Sequence, residues 1–357
     1  MKGMLKYLSP FAPDQSGAVS VLYDMGGITV TCDAGGCTGN ICGFDEPRWT
    51  DSPRAVFSAG LRDMDAILGR DDKLVEKLGA VSKKIDAPFA AIVGTPVPAV
   101  IGTDFHALVR MTEKRCGLPA ISVECTGTHL YDKGASDTYK ALFKKFAEDV
   151  NEEDKPAASE DTLIGVLGMI PLEISRKDGV PAVKAAYEDS VHRRFLCYGM
   201  GSGIEDIRKA GMVSENIVVS PSGLAAAKYL KKRFGTTYRI DYPFIDKELE
   251  EKLRTLAGKK VLVIHQQAAA DKARDIIEEA GGAGVVCGSW FMQPKEMTRQ
   301  GDIALTTEKQ FMDIAASGDF DVIIADELMR RAAKSAGFSG EFVEFNHFAV
   351  SGDLDDE

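Results

Sequence analysis

The sequence predicts an α/β protein made of three doubly wound domains with parallel sheets, a Rossmann-like arrangement. Two observations carry this expectation. Short runs of four to six mostly apolar residues recur along the chain, as in parallel strands covered on both faces. Amphipathic stretches of helical period stand between them, and strand–helix alternation of this kind builds parallel sheets. The 357 residues are enough for two or three domains, each able to bury its own core.

In chain order, the first group of expected strands is Ile28–Cys32, Phe89–Val93 and Ala120–Glu124. The second is Leu163–Leu167, Phe195–Tyr198 and Asn216–Val219. The third is Lys260–Ile264, Gly284–Cys287 and Asp321–Ala325. Expected helices are Asp104–Cys116, Ala135–Val150, Gly223–Phe234, Lys247–Leu256 and Ala268–Ala280. Asn151–Asp161 (NEEDKPAASED) is polar and contains proline, which marks a linker. A second boundary falls near Gly258, between the charged helix ELEEKLRTLAG and the strand KKVLVIH. The domains are therefore expected at 1–150, 162–257 and 258–357.

Composition narrows the function. Asp plus Glu number 54 against 43 Lys plus Arg, so the net charge is −11 and a phosphate backbone is repelled; nucleic acid is not an expected partner. No apolar run reaches the roughly 18–20 residues that span a bilayer, and no membrane partner is expected. The opening MKGMLKYLSPF is too polar and short for a signal peptide, so the expected location is the cytoplasm. There is no G-x-x-x-x-G-K-[ST] loop for ATP. Tyr198–Gly203 (YGMGSG) misses the dinucleotide spacing because Ile204 stands where the third glycine belongs, so no NAD site is expected. G-x-S-x-G and H-E-x-x-H are also absent, which leaves ordinary hydrolase chemistry without an anchor.

The chain has seven cysteines, an odd number that no complete disulfide framework can use. Cys32, Cys37 and Cys42 share one loop after the first strand, together with Gly35, Gly36, Gly39 and Gly43. Thiolates hold iron–sulfur clusters, and glycines let backbone N–H groups approach an anionic cluster. The spacing C-x4-C-x4-C is neither a common ferredoxin pattern nor the C-x2-C of zinc sites. The alternative is a tight glycine loop around small buried cysteines. Three thiolates leave a cubane one ligand short; Asp33, Asp45 and Glu46 are nearby oxygen donors, and a subunit interface is the other way to complete it. Two further loops follow strands: Thr95–Asp104 (TPVPAVIGTD), and Cys125–His129, which supplies His129 as candidate proton donor or ligand. Ser220-Pro221-Ser222-Gly223 caps a helix where an anion can rest.

Four segments together resemble the nitrogenase component 1 family, which includes the molybdenum-iron protein, its cofactor scaffold relatives and the dark-operative chlorophyllide-type reductases. They are Ser16–Cys37, Thr95–Asp104, Asn216–Tyr238 and Phe345–Gly352, collinear over nearly the whole chain. The resemblance implies a homodimer or a pair with a paralogous subunit, served by a separate ATP-dependent iron–sulfur reductase. It also implies a small-molecule substrate bound between domains. The family places three cluster cysteines in three loops; here only Cys37 matches, with Ser16 and Pro96 at the other two positions. The cysteine that anchors the nitrogenase active-site cofactor aligns with Ser220 and its partner histidine near Asp355, which argues against dinitrogen as substrate. The leading expectation is an oxidoreductase subunit with an iron–sulfur cluster of 4Fe–4S type on Cys32, Cys37 and Cys42. The alternatives are a non-catalytic carrier for a cluster or tetrapyrrole, and a small-molecule binding protein with buried cysteines.

Overall fold

The computed structural model describes residues 5–150, 162–187, 193–282 and 284–355. The proposed linker 151–161 lies outside them. The nine expected strands all form, and four more join them. The first sheet contains β1 (Ile28–Thr31), β2 (Val56–Ser58), β3 (Ala90–Val93) and β4 (Ala120–Val123), in the order β2-β1-β3-β4. The second contains β5 (Thr162–Leu167), β6 (Arg193–Cys197), β7 (Glu215–Val218) and β8 (Thr237–Ile240), ordered β6-β5-β7-β8. The third contains β9 (Val261–Ile264), β10 (Val285–Ser289), β11 (Ile303–Ala304), β12 (Val322–Ala325) and β13 (Glu341–Glu344), ordered β11-β10-β9-β12-β13. Every pairing among them is parallel. No helix among the described residues is long and apolar enough to cross a membrane.

The four strands that the sequence did not announce, β2, β8, β11 and β13, all lie at sheet edges. An edge strand is covered less completely, so it does not need the continuous apolar run by which central strands are recognised. Accordingly β8 and β13 are mostly half-buried or exposed along their length. The helix expected at Ala135–Val150 forms earlier, at Tyr131–Phe146. Its first turn reads as a polar loop in sequence, yet Tyr131, Asp132, Gly134 and Ala135 are buried.

That burial has a specific cause. The helix Asp14–Leu22 crosses Tyr131–Phe146 with the two backbones in direct contact. A Cβ at Gly17 would fall on the Tyr131 carbonyl, and one at Gly134 on the Asp14 carbonyl. Each helix supplies the glycine that admits the other.

One core is shared by all three sheets, while the other face of the first sheet keeps its own around Leu74, Val75 and Leu78. One apolar cluster runs from Val19 and Phe143 through Leu167, Tyr198 and Leu224 to Leu262, Ile323 and Phe348. Polar contacts reinforce it between the units. Arg48, buried, donates to the Ser20 carbonyl (2.8 Å) and the Gly199 carbonyl (2.8 Å), and also to Asp24 (3.0 Å) and Glu46 (2.6 Å). At the start of the chain, the N–H groups of Lys6, Tyr7 and Leu8 all donate to the Glu308 carboxylate of the third unit (2.8–3.0 Å).

Two substitutions test this assembly. Gly134→Ala should lower the unfolding free energy by about 2–3 kcal/mol, since the clash is with backbone and cannot be relieved by a rotamer change. Arg48→Met should lose about 3–5 kcal/mol by leaving Glu46 and Asp24 without their cation. Urea titrations followed by circular dichroism measure both; a loss below about 0.5 kcal/mol in either would show that the contact is dispensable.

Candidate functional site

In an open parallel sheet, ligands lie beyond the carboxyl ends of the strands where the order reverses. In the first sheet that point lies between β1 and β3. Three loops meet there: Cys32–Gly43, Gly94–Asp104 and Glu124–Leu130. The Cys32 N–H donates to the Val93 carbonyl (2.8 Å) and the Thr95 hydroxyl to the Cys32 carbonyl (2.8 Å). Asp14 accepts from the N–H groups of Thr126 (2.9 Å) and Gly127 (2.8 Å). At Gly127 (φ 71°) a Cβ would strike the Pro96 ring, which sets the β3 and β4 loops side by side.

Cys32, Cys37 and Cys42 share this end of the sheet, but they are not gathered. Cys32 continues the parity of Ile28 and Val30 and points into the core with Leu74, Val75 and Leu78. Cys42 sits on the π-helical turn Ile41–Asp45 and packs against the opposite core, that of the crossing helices. Cys37, half-buried, opens the short helix Gly36–Asn40, where its thiol is influenced by the Thr95 hydroxyl. Among the described residues, no three Cys, His, Asp or Glu side chains are arranged to hold a metal ion. All three thiols are held toward the neutral form, Cys32 at about 12 and Cys42 at about 11, in each case chiefly by burial. Nearby carboxylates add to the effect: Asp71 and Asp33 at Cys32, Asp33 at Cys37, Glu46 at Cys42.

The oxygen donors are engaged as well. Asp33 is buried and accepts from the Thr38 N–H (2.9 Å) and the Ser58 hydroxyl (2.5 Å). Asp45 accepts from Ser16 (2.6 Å) and Asn40 (2.8 Å), and Glu46 is paired with Arg48. The residues present therefore do not fit a cluster held by three thiolates of one chain. Of the three, Cys37 and Cys42 are only half-buried, and two thiolates are half of the four that such clusters take.

The glycine assignments divide in the same way. Gly35 (φ 118°) makes the turn that starts the short helix, whereas Gly36 and Gly39 face open space. His129 is exposed, and its carbonyl accepts the Asp14 N–H (3.0 Å). The Tyr198–Gly203 loop is a structural tie: its Gly201 N–H reaches Asp24 (3.2 Å) and its Gly199 carbonyl binds Arg48.

Sequence reading missed a polar junction where all three units meet. Tyr131 donates its hydroxyl to Glu173 Oε2 (3.0 Å) and contacts His347 Nε2 (3.0 Å). His347 Nε2 also lies 3.1 Å from the Leu172 carbonyl, which fixes that nitrogen as the protonated one. The His347 ring stacks on His265 at 4.2 Å, and His265 Nε2 reaches the Asn346 carbonyl (2.9 Å). Burial raises Glu173 to about 8 and lowers His265 to about 4 and His347 well below its ordinary value. Ser220 and Ser222 adjoin this carboxyl and hold it down somewhat, and the Ser220 hydroxyl donates to the Gly168 carbonyl (3.0 Å). The histidine that reaches this place is His347; Asp355 lies instead against Asn346 (3.0 Å) and Arg176. The signal available in sequence was Glu173, a lone charge inside the apolar segment Met169–Ile174 just after a strand.

An apolar rim borders the cysteine loop. Phe44 (76% exposed) stands on the π-helical turn, and Met64, Ile67 and Leu68 lie on the helix Asp63–Leu68. That helix touches Pro96–Ile101, which bears Val100 (86% exposed) and Ile101.

Known proteins share this architecture. The structure matches a solved nitrogenase, Nitrogenase Cp1 at pH 6.5, with a TM-score of 0.72 over 97% of this chain and 87% of that one at 12% identity. A second structure of Nitrogenase Cp1, at pH 5, gives 0.70 over 99% and 86% at 13% identity. At these identities the likeness establishes the fold. In sequence, the chain is 24% identical over 228 residues to the nitrogenase iron-molybdenum cofactor biosynthesis protein NifE of Bradyrhizobium diazoefficiens, covering 62% of this chain and 39% of that protein. It is 28% identical over 75 residues to NifE of Sinorhizobium fredii, covering 21% and 15%. The chain thus spans well under half the length of these relatives. The family model described as nitrogenase component 1 type oxidoreductase matches residues 17–258, about two thirds of the sequence, and the chain belongs to that family.

Proposed function

We propose that this protein is a component 1-type oxidoreductase subunit that shares an iron–sulfur cluster of 4Fe–4S type with a second subunit. It takes electrons from a separate ATP-dependent iron–sulfur reductase and reduces a small molecule other than dinitrogen. The observation that carries this reading is that Cys37 and Cys42, both half-buried, share one glycine loop at the end of the first sheet that also carries the exposed Phe44, Ile67 and Val100. Two thiolates are half a ligand set, and large exposed apolar side chains at one end of a sheet support a surface that another protein covers. A second copy of this chain supplies both the missing thiolates and a self-complementary face; a paralogous subunit does so where one is made alongside it. Ligation requires thiolates, so the elevated thiol values imply that cluster assembly releases protons and is favoured by rising pH. Cys32, on the other face of the sheet, is left as a packing residue, and His129 as an exposed candidate proton donor on the loop after β4.

The second reading is a carrier that holds a cluster or tetrapyrrole for another enzyme. Its support is the similarity to NifE, a protein named for cofactor biosynthesis, and the serine at position 220 where the family's anchoring cysteine aligns. Repeated substrate turnover with a reductase and ATP belongs to the first reading; a single transfer of cargo followed by arrest belongs to the second.

Anaerobic reconstitution tests the ligand set. Wild type should take up ~4 iron and ~4 sulfide per pair of chains. Cys37→Ser and Cys42→Ser should each lose most of this, and Cys32→Ser should retain it. Folded wild type that binds no iron would refute the cluster. The interface has its own test: Val100→Asp combined with Ile67→Asp should shift the sedimentation coefficient to that of a monomer and abolish iron uptake while circular dichroism is unchanged. An unaltered assembly state would remove the rim from the proposal.

A further inference from the structure

The turn that follows Glu173 fastens the end of the chain. Ser175 has φ 57°, the left-handed region that residues other than glycine rarely adopt. Its hydroxyl donates to the Asn346 carbonyl (3.2 Å) and accepts from the Phe348 N–H (2.9 Å), and its carbonyl accepts the Asp355 N–H (2.8 Å). Backbone held in such a conformation persists only where its surroundings impose it, and it recurs at switch regions. Two positions earlier in the same turn sits Glu173, with no exposed surface and with Oε1 lacking any hydrogen-bond partner. Through Tyr131 its other oxygen is linked to His347, inside the fastened segment. One short turn thus carries a strained residue, an incompletely bonded carboxyl group and three of the hydrogen bonds that hold the C-terminal residues. Asp326 accepts two more, from the His347 N–H (3.0 Å) and the Ser351 hydroxyl (2.7 Å), and His265 reaches the Asn346 carbonyl (2.9 Å).

We propose that Glu173 is a proton-operated latch for the segment Asn346–Asp355: with the carboxyl group neutral the segment stays docked, and loss of the proton releases it and opens the three-unit junction to water. A buried carboxylate without a counter-charge is costly, and hydration relieves that cost only if the packing above it parts. The groups facing Glu173 offer no compensation by cation. Tyr131 and Asp132 come from the first unit, Ser220 and Ser222 from the second. Tyr139 and Tyr242 each feel its charge from their own positions. His347, reached through Tyr131, is held neutral by burial and by His265. The charge that most affects Glu173 is Asp132, which itself accepts the Met292 N–H of the third unit and disfavours ionisation further.

The sign follows from the raised value of about 8. Below the ordinary glutamate range both folded and unfolded chains hold the proton, and the docked state keeps its full stability. As pH climbs toward 8 the unfolded chain has already given the proton up, so the docked state loses stability progressively. Tyr131 donates to the carboxylate and favours the charged form, so removing its hydroxyl should move release to higher pH.

Hydrogen–deuterium exchange on the full-length protein reads this directly. After correction for intrinsic exchange, protection of residues 346–355 in wild type should fall at least tenfold between pH 7 and pH 9, while the central strands β5, β9 and β12 stay protected. Glu173→Gln should show no such fall, and Tyr131→Phe should shift its midpoint upward. Constant protection of 346–355 in wild type over that range overturns the latch, as does an equal loss in Glu173→Gln. Should Glu173→Gln not fold, the unshifted or downshifted midpoint of Tyr131→Phe overturns it instead. None of these outcomes depends on metal, so failure here leaves the cluster proposal intact.

Discussion

Much of this structure depends on the contact of two helix backbones at Gly17 and Gly134. Because no side chain separates them there, the helix Tyr131–Phe146 is drawn deep enough for its first residues to be buried rather than solvated. Tyr131 thereby reaches Glu173 and His347, Asp132 reaches Met292, and two turns further along Tyr139 donates to the Tyr198 carbonyl (2.9 Å). The partner helix benefits equally: all nine of its residues are buried, although Asp14, Gln15, Ser16 and Ser20 are polar. Asp14 answers by bonding the β4 loop, and Ser16 by bonding Asp45 beside the cysteines. A single close crossing therefore sets both the junction of the three units and the geometry of the cysteine loop.

The central strands were legible in sequence because parallel strands covered on both faces must be apolar throughout, and β3 (AAIV), β9 (VLVI) and β12 (VIIA) are. The edges were not, since half-exposed strands such as β13 (EFVE) satisfy no such rule. The family was legible too, because its loop motifs are local. Spacing alone does not display how Cys32, Cys37 and Cys42 are placed: Cys32 keeps the alternation of its strand and packs in one core, while Cys42, past the short helix, packs against the other. The Tyr131–Glu173–His347 junction joins residues 42 and 216 positions apart in its two hydrogen bonds, and no local pattern announces a contact of that range.

Electrostatics give the two regions different characters. Around the cysteine loop, Asp33, Asp45 and Glu46 are each committed to a hydrogen bond or ion pair, so they stabilise the loop's shape, while the charges of Asp33 and Glu46 disfavour thiolates. At the junction burial dominates and keeps an acid and two imidazoles neutral together. In the first region neutral thiols sit among ionised, hydrogen-bonded carboxylates; in the second the acid and both imidazoles are uncharged together.

The apolar cluster that threads all three sheets has a consequence for how such a chain can change over time. Each sheet has the topology of an independent nucleotide-fold module, but Leu167, Leu262 and Phe348 are interior residues of one another's units. The repeated architecture describes how the backbone is wound, whereas one apolar cluster is shared by all three units. Shortening or lengthening of the chain is then confined to surface loops that do not border the shared interior, since even edge-strand residues such as Val56, Ile240 and Phe342 pack against it. Recombination that exchanged one module for a distant cousin's would have to carry the matching interior surfaces with it.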